Sequence, residues 1–574
     1  MAHFHVKRKK GRPYLYVREI ARIGGKPTVT SQVYVGSPER VRELVEGAGV
    51  AEVRLKVEEF GALWLAQQLD AGIDVAGIVD EVVGRGARES GPSVGEYFLF
   101  AVWNRMIEAK SKRALPAWYR ASAVQQVRPV QVEELTSERY WEKWERVSEQ
   151  DLELIARRYF ERVWELEQPQ ADCLLFDTSN YYTFMASQTP SELAKRGKNK
   201  AGRHQLRQIG VGLLVARESR LPLHYTLYPG NVHDSKHFRA VLDEMFALAC
   251  GLARSQERLT VVIDKGMNAK ANMAWLDERE GLHFVTSYSP YFARELAMTP
   301  LARFEPAEIE RNQRLLEEGR EHDRLLAYRT RGVYWGKERA VVITFNPATA
   351  RKQTHRLEGK LETLREELLS MRAKVREGAP QWRDPERVRE RYARACERLH
   401  LPSDYYQLHF EQQQGALRMR FNKDTQRISR RRSMLGKSII ISDNHDWSTS
   451  EIVQAHLDRW QVEDAFRESK APDLIGVQPI RHWTDSKIRC HLLTCVIALT
   501  QLRRLELRLQ RAGTPMTANA AMEEMKRLHS VLHIPKGRKK PERRLEQPNH
   551  TQSEVLRAFA HRITPGGVLQ QAPS

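Results

Sequence analysis

The amino-acid sequence predicts an α/β fold, in which helices flank a mixed β-sheet and a large insertion of strands and helices interrupts it. The first observation is a change of pattern at Asp172, where helical spacing gives way to the apolar run CLLF and then to strands over 209–216 and 223–228. The second is the succession that follows: a helix over 235–250, the strand LTVVID, a helix through Ala271 and the strand LHFVTS. Three strands, a helix, a strand, a helix and a strand is the order of a ribonuclease-H-like core.

Two segments precede this core. Residues 1–36 alternate polar and apolar side chains on either side of the pair Gly24-Gly25, which predicts a small β-ribbon. Residues 37–168 keep helical spacing, and one of the helices ends in a basic group made of Arg105, Lys110, Lys112 and Arg113. Such a group is either a solvated helix end or a set of contacts to DNA phosphates, and we interpret the region as a helical, DNA-binding one.

The interval 290–437 does not continue the rhythm of the core and is interpreted as an insertion. It has strands over 331–345 and then apolar residues at heptad spacing from Leu357 to Val375, before Gly378 ends the pattern. A second helix over 385–399 and an alternating β-hairpin follow. The heptad stripe fits either an antiparallel helical hairpin within one chain or a dimer, and the turn that interrupts it favours the hairpin.

Pattern and composition together divide the chain into six parts. In order, these are a β module at 1–36, the helical region at 37–168, the first part of the core at 169–289, the insertion at 290–437, the completion of the core at 438–515 and a basic C-terminal tail at 516–574. The tail contains the run KGRKKPERR, and we expect it to be poorly ordered and to contact phosphates without specificity.

Composition restricts the partners and the compartment. The chain of 574 residues has a formal net charge of +20 and 41% hydrophobic residues, so it can form real cores and favours a polyanion such as nucleic acid. Its 5 cysteines include no CxxC pair, which argues against a disulfide framework or a zinc site. The N-terminus is charged, and no apolar run approaches the ~20 residues that span a bilayer. We therefore expect a soluble, cytoplasmic protein without a membrane partner.

Two aspartates at the ends of predicted strands and one helical glutamate are the candidate chemical groups. Asp177 follows CLLF and Asp264 ends LTVVID, while Glu463 follows a further strand, SIIISD. A single aspartate after a strand is ordinarily a turn cap, so the prediction depends on the three together. In a ribonuclease-H-like sheet the two aspartates lie on neighbouring strands and the third acid comes from a helix packed across the sheet edge.

Three clustered carboxylates repel one another unless cations bind, and their natural ligands are hard ions such as Mg²⁺. Two such ions about 3.5–4 Å apart activate an attacking water or 3′-hydroxyl and stabilise the leaving oxygen in phosphoryl displacement. No cysteine or histidine cluster accompanies the acids, which argues against zinc.

The glutamate lies on a predicted helix over 448–470, which begins with the capping-box pair Ser448 and Glu451. One stripe of this helix carries His456, Arg459, Glu463 and Lys470. Polar residues at this spacing usually form a solvated face, and the two aspartates are what favour a site.

A second basic cluster lies between the first two strands of the core. It consists of Lys195, Arg196, Lys198, Lys200, Arg203 and Arg207. The cluster is either a solvated hairpin or a set of side chains that hold the DNA backbone beside the acids.

At this point the residues resemble a known family. The helix HLDRWQVEDAFRESK is similar to the signature of bacterial insertion-sequence DDE transposases of the insertion-sequence-four type, which has tyrosine, arginine, glutamate and lysine at the spacing of His456, Arg459, Glu463 and Lys470. Further segments agree in order: LLFDTS, RGKNKAGRHQLRQIGVGLLV, PLHYTLYPGNVHDSKHF, VVIDKGMN and QPIRHW. The likeness covers roughly residues 170–510, including the insertion.

The resemblance implies that Asp177, Asp264 and Glu463 bind two Mg²⁺ ions, with Mn²⁺ as a substitute, and that Arg459 and Lys470 hold the DNA end. It implies cleavage of element ends and joining of their 3′-hydroxyls to target DNA by a homodimer bound to double-stranded DNA in a bacterial cytoplasm, at the nucleoid. His456 replaces the tyrosine of the signature, whose contact with a DNA phosphate an imidazole can also make.

Two other functions remain open at this stage. One is a ribonuclease-H-like DNA nuclease without strand transfer, although simple cleavage does not require the long insertion and the N-terminal segments. The other is an inactive DNA-binding protein derived from a transposase. The three intact acids argue against it, and His456 keeps it open.

Overall fold

The computed structural model describes residues 2–46, 53–86, 91–170, 172–197, 202–232, 258–413, 416–535 and 541–572. The chain divides into two compact units. The first unit consists of Met1–Gln67, Ala117–Pro129 and Ala512–Ser574, and the second consists of Gln68–Pro116 and Val130–Arg511. Both ends of the chain therefore belong to the same unit.

The chain begins with a three-stranded antiparallel sheet. Its first elements are β1 (Ala2–Lys9), β2 (Arg12–Ile23), β3 (Lys26–Gly36), α1 (Pro38–Glu46), β4 (Val53–Glu59) and α2 (Gly61–Asp70). Gly24 and Gly25 form the turn between β2 and β3 with φ of 59° and 80°, as their sequence predicts. The predicted ribbon is thus a sheet of three strands in the order β1-β2-β3.

Helices fill most of the next part of the chain, although the region predicted to be helical, 37–168, also contains the strand β4. They are α3 (Val75–Val83), α4 (Val94–Ile107), α5 (Leu115–Ala121), α6 (Val124–Val127), α7 (Ser137–Glu145) and α8 (Glu149–Glu167). For two members of the basic group, neither a solvated helix end nor a phosphate contact applies, because Arg105 and Lys112 are buried. Arg105 donates to the carbonyls of Ile475 and Gly476 at 3.2 and 3.1 Å, so its guanidinium holds a loop of the protein.

The core is a mixed sheet flanked by helices, which confirms the fold class at that level. Its elements are β5 (Cys173–Thr183), β6 (Lys195–Arg196), β7 (Arg207–Ala216), β8 (Pro222–Pro229), β9 (Leu259–Ile263), α9 (Lys270–Asp277) and β10 (Leu282–Tyr288). The strand order is β8-β7-β5-β9-β10, with β7 antiparallel to β8 and β5, and with β5, β9 and β10 parallel; the short β6 also pairs antiparallel with β7. The helix predicted over 235–250 lies outside the described residues.

The insertion adds strands to this sheet. Its elements are α10 (Arg294–Ala297), β11 (Glu305–Pro306), α11 (Glu310–Glu317), β12 (Leu326–Tyr334), β13 (Lys337–Phe345), α12 (Pro347–Glu377), α13 (Pro385–Leu399), β14 (Tyr406–Gln413), β15 (Ala416–Lys423) and α14 (Thr425–Ser433). The next strand, β16 (Lys437–Ser442), pairs with β10 and β13, and β12 and β11 continue the sheet beyond it. Trp335 and Gly336, both with positive φ, form the turn between β12 and β13.

The heptad stripe of α12 is covered within the chain. Leu357, Leu364 and Val375 are buried in one apolar cluster with residues of α13 and of the β14–β15 hairpin. The heptad stripe therefore packs within the chain, as the predicted helical hairpin requires.

The C-terminal part is folded, so the prediction of a poorly ordered tail is wrong for its described residues. After α15 (Thr449–Asp458), α16 (Trp460–Lys470) and α17 (Asp485–Arg511), the chain forms α18 (Ala518–Lys526), β17 (His529–Pro535), β18 (Glu542–Leu545), α19 (His550–Ala558), β19 (His561–Ile563) and β20 (Leu569–Gln571). β17 is the middle strand of a sheet with β18 and β4, which ties the tail to the start of the chain. None of the helices described has the length and apolar character that crossing a membrane requires.

Candidate functional site

The two aspartates belong to adjacent parallel strands, Asp177 within β5 and Asp264 directly after the end of β9. Leu175 of β5 pairs with Val262 of β9, and the same register continued by two residues aligns Asp177 with Asp264. Neighbouring strands are about 4.8 Å apart, and residues at the same level face the same side of the sheet. Asp264 directly follows β9 with extended backbone, and its side chain does not cap the turn after it.

The prediction that the first strand ends at Asp177 is wrong, because β5 continues to Thr183. The polar residues after Asp177 keep pairing with β7 down to the pair Thr183 and Arg207. Threonine and tyrosine favour strands, and several follow here, so the polar stretch is compatible with a sheet that is half exposed. Asp177 is consequently held within the strand and not on a loose turn.

The predicted single helix over 448–470 is two helices that meet at Arg459. Ser448 caps α15 in the predicted capping box with Glu451. α15 ends at Asp458 and α16 begins at Trp460, and the interruption is visible in a long bond of 3.5 Å from the Glu463 amide to the Arg459 carbonyl.

Arg459 connects two of the three acids. Its guanidinium donates to Oδ1 of Asp264 and, at 2.9 Å, to Oε1 of Glu463. The Arg459 side chain is 20% exposed and that of Glu463 is 54% exposed. Burial lowers the pKa of Arg459, but the carboxylates of Asp264, Asp177 and Glu463 outweigh burial and the pKa is raised. All three predicted acids therefore act on one cation.

Lys470 reaches the strand that carries Asp177. Its Nζ donates to Oγ of Ser179 at 2.5 Å and lies 4.9 Å from the ring centre of Tyr181. Residues 177, 179 and 181 of a strand share one face, so Lys470 lies on the same side of the sheet as Asp177. The hydroxyls of Tyr181 and Ser469, 2.6 Å apart, hold α16 against this face.

His456 lines a cavity of about 140 Å³ together with Thr344, Gln353 and Lys437. Burial, with a smaller effect from Arg459, lowers the pKa of His456 to about 4. The imidazole is therefore neutral at pH 7 in this structure. A phosphate contact by a protonated His456 would first require the ring to leave this environment.

The second basic cluster is described only in part, because Lys198 and Lys200 lie outside the described residues. Lys195 and Arg196 form the short strand β6 beside β7. Arg207 donates to the carbonyls of Thr189 and Ser187 at 2.7 and 2.5 Å, and Arg196 donates to Oγ of Ser187 at 2.7 Å. Arg203 stacks 4.5 Å from the ring centre of Tyr182. These cations brace the loop before β7 as well as adding charge to it.

Sequence reasoning missed the ion pairs that anchor the two helices. Asp458 at the end of α15 accepts from Nε of Arg217 at 2.6 Å, and both side chains are largely buried. On α16, Asp464 and Glu468 approach the buried Arg503 of α17, at 3.5 and 2.7 Å. Asp464 lies next to Glu463 in the chain but on the buried face of the helix. Its position among the apolar residues of that face could have indicated a buried acid that needs a cationic partner.

The donor set suits a hard cation. Carboxylate oxygens are the ligands that Mg²⁺ prefers, and a guanidinium is already held between Asp264 and Glu463. In the part of the chain that the structure describes, no three His, Cys, Asp or Glu side chains stand close enough to hold a metal ion as they are. A metal ion at this position would therefore compete with Arg459 for the two carboxylates.

Comparison with known proteins identifies a family match. The family model described as transposase DDE domain matches residues 183–501, more than half of the chain, a range that includes Asp264 and Glu463 and begins shortly after Asp177. Among solved structures, a piggyBac transposase synaptic complex with hairpin DNA is similar with a TM-score of 0.34 and 9% identity, covering 82% of each chain, a likeness too low to support an argument. No curated protein matches. By the family match, the chain belongs to the transposase DDE domain family.

Proposed function

We propose that this protein is the transposase of an insertion sequence, which cuts the element ends by metal-dependent hydrolysis of phosphodiesters and joins the 3′-hydroxyl ends to target DNA. The observation that carries the proposal is the convergence of Asp177, Asp264 and Glu463 on the guanidinium of Arg459. Acids from two strands and a helix meet here at one cationic position, inside a chain of this family.

The proposal includes a ribonuclease-H-like core. The strand order β8-β7-β5-β9-β10, with three antiparallel strands followed by two parallel ones, supports this assignment. In this arrangement β5 is central and β9 is its parallel neighbour, so the aspartates of both strands face the helix that carries the glutamate.

Asp177, Asp264 and Glu463 would hold two Mg²⁺ ions, for which Mn²⁺ could substitute. When bound, such ions activate the attacking oxygen and stabilise the leaving one. Arg459, once displaced from the acids, is positioned to bind a phosphate of the DNA end, since guanidinium groups match phosphate oxygens in pairs. Lys470 would hold a second phosphate from the Ser179 side of the site.

The insertion-sequence-four type, with His456 in place of tyrosine, is part of the proposal, and so is a bacterial cytoplasmic setting at the nucleoid. Two DNA ends must be handled together, so a homodimer on DNA is proposed as the active form. The net charge of +20 supports a DNA partner. Lys195, Arg196, Lys198, Lys200, Arg203 and Arg207 are proposed as backbone contacts next to Asp177.

The test uses the full chain with duplex DNA that carries the inverted repeats flanking its coding sequence. With Mg²⁺, we expect end cleavage followed by joined products. Glu463→Gln and Asp264→Asn should abolish both and retain DNA binding, whereas Asp473→Asn, an exposed carboxylate just beyond α16, should leave both intact. Cleavage without joining would mean a nuclease, and binding alone in the unmodified protein would mean an inactive derivative.

A further inference from the structure

The N-terminal sheet has two chemically different faces. Strand pairing places Lys9 opposite Arg12, and His3 opposite Arg18, on the same face. The pairing of β2 with β3 adds Tyr34, opposite Tyr16, to that face. We define the basic face of this sheet by Lys7, Lys9, Arg12 and Arg18, with Tyr16 and Tyr34 between them.

The other face is largely apolar. Phe4 pairs with Val17, which pairs in turn with Val33, and Val6 pairs with Leu15. The side chains of Phe4 and Val33 are 71% and 60% exposed. The cations of the sheet are therefore not spread evenly, because most of those in the strands lie on the face that has the tyrosines.

The charge of the sheet is far above the average for the chain. Residues 2–36 contain 8 lysines and arginines and a single acid, Glu19. By register, Glu19 pairs with Ala2 and lies on the apolar face, so no carboxylate faces the cations from within the sheet. Outside the sheet, hydrogen bonds from Ser37 and from its own backbone amide lower the pKa of Glu39 on α1, and the nearby charge of Arg12 lowers it further, so one acid offsets part of this charge. A group of cations that outnumbers its acids on a rigid sheet still attracts a polyanion.

The aromatic rings of the basic face are already engaged. Nζ of Lys7 lies 5.3 Å from the ring centre of Tyr16, and the rings of Tyr16 and Tyr34 are 5.2 Å apart and tilted by 52°. Arg18 donates to Oε1 of Gln32 at 2.7 Å. Rings packed against a lysine and against each other are poor platforms for unpaired bases, which need open ring faces. They do fix the cations in place, as phosphate contacts require.

We propose that the basic face of the N-terminal sheet is a binding surface for the phosphate backbone of double-stranded DNA. The proposal rests on the proposed function only in taking DNA as the polyanion. Lys9 and Arg12 are exposed on this face and contact phosphates directly, while Lys7 and Arg18 are held beside them by Tyr16 and Gln32.

The chain supplies a matched control. Arg8 and Lys26 are also exposed, but pairing of Arg8 with Pro13 and of Lys26 with Ile23 places both on the apolar face. The double variants Lys9→Ala/Arg12→Ala and Arg8→Ala/Lys26→Ala therefore remove the same charge from the same sheet and differ in the face from which they remove it.

The experiment measures fluorescence anisotropy of the full-length double variants with a labelled duplex and with one of its single strands, over a series of salt concentrations. Thermal melts establish that both variants fold. For the Lys9/Arg12 pair we expect about tenfold weaker duplex binding and a loss of roughly 1.8 from the slope of log K against log salt, or about 0.9 per phosphate contact. For the Arg8/Lys26 pair we expect less than a twofold change.

Equal weakening by both pairs would mean that DNA senses only net charge, and it would overturn the inference. No effect of either pair, or tighter binding of the single strand through Lys9 and Arg12, would overturn it as well. Metal-dependent cleavage is measured on the same preparations. If the unmodified protein does not cleave DNA but the Lys9/Arg12 pair alone weakens binding, the proposed function fails and this inference stands.

Discussion

The guanidinium of Arg459 lies between the carboxylates of Asp264 and Glu463 and donates to both. One arginine thus neutralises two acids that belong to different elements, a strand end and a helix. The same arginine lies at the junction of α15 and α16, so the charge state of the acids and the geometry of these two helices depend on each other.

Replacing Arg459 with alanine should make the protein dependent on divalent metal for stability. Without its cation, the pair Asp264 and Glu463 repels, and we expect a loss of roughly 1–3 kcal/mol. Millimolar Mg²⁺ should restore more stability in Arg459→Ala than in the unmodified protein, since an ion that binds only the folded state stabilises it. Thermal melts with and without Mg²⁺ measure this difference.

Arg467→Ala is the control for that experiment, because Arg467 lies on α16, directly after the junction, and pairs with Asp464 outside the site. Its response to Mg²⁺ should equal that of the unmodified protein. An equal response of Arg459→Ala would show that the ion does not replace the guanidinium.

His456→Tyr should fold normally and resist acid better. The cavity of about 140 Å³ beside the ring leaves room for the larger side chain, so the change at pH 7 should stay within about 0.5 kcal/mol. Burial lowers the pKa of His456 from 6.5 to about 4, so the unfolded chain binds a proton between those values and the folded protein does not. The free energy of unfolding therefore falls by as much as roughly 3 kcal/mol as pH drops from 6.5 to 4. The tyrosine variant has no imidazole at this position and should not show this loss. Urea titrations of both proteins at pH 7 and pH 4.5 measure this difference. Equal losses of stability in both proteins would contradict a neutral, partly buried imidazole at position 456.

Lys112→Met should stabilise the protein at neutral pH. Nζ of Lys112 is buried over the rings of Tyr140 and Trp144, and within the described residues it finds no hydrogen-bond acceptor. Burial lowers its pKa from 10.5 to about 7, so the unfolded chain holds the extra proton between those values and stability falls as pH drops through this window. Removing the amine should add roughly 1–3 kcal/mol at pH 7 and flatten the pH dependence from 7 to 10.5.

Lys110→Met serves as the comparison, because Lys110 is half exposed and pairs with Glu108. It should leave the unfolding free energy and its pH dependence nearly unchanged. Destabilisation of Lys112→Met would instead mean that the ring contacts of the ammonium outweigh its burial.

Leu364→Ala should destabilise the insertion without changing the oligomeric state in the absence of DNA. Leu364 is fully buried between α12 and its covering elements, and such a truncation costs about 2–5 kcal/mol. Glu366→Ala, exposed on the same helix, should cost little. Urea melts give the free energies, and light scattering gives the mass. A dimer that becomes a monomer on Leu364→Ala would show that the stripe joins two chains.

The sequence was informative where local pattern decides structure. Short, β-branched apolar runs such as LTVVI and SIIIS predict buried strands. The heptad spacing in α12 predicts a helix with one buried apolar stripe. The alignment of Asp177 with Asp264 follows from strand order, because parallel neighbours place equivalent strand positions side by side. These features account for most of the core and for the choice of the three acids.

Features that depend on distant partners were not predictable. The burial of Arg105 depends on carbonyls some 370 residues away in the chain, so its sequence neighbours made it look like a surface cation. The break between the two helices at Arg459 was also not predictable. The helical pattern of the sequence continues through Arg459, and the ion pair with the distant Asp264 appears only in the fold. The folded C-terminal part was not predicted because its basic composition is typical of a disordered tail. Its short strand β17 pairs with the distant β4, which the local sequence does not indicate.

The pairing of β4 with β17 has a consequence for the order of events during synthesis. Val57 and its neighbours leave the ribosome early, whereas Val531, their partner in the ladder, is made more than four hundred residues later. At about 5–20 residues per second, β4 waits roughly 25–95 s before its neighbouring strand exists. The second unit lies between them in the sequence, so all three acids have been synthesised before the unit that contains the N-terminus can be completed.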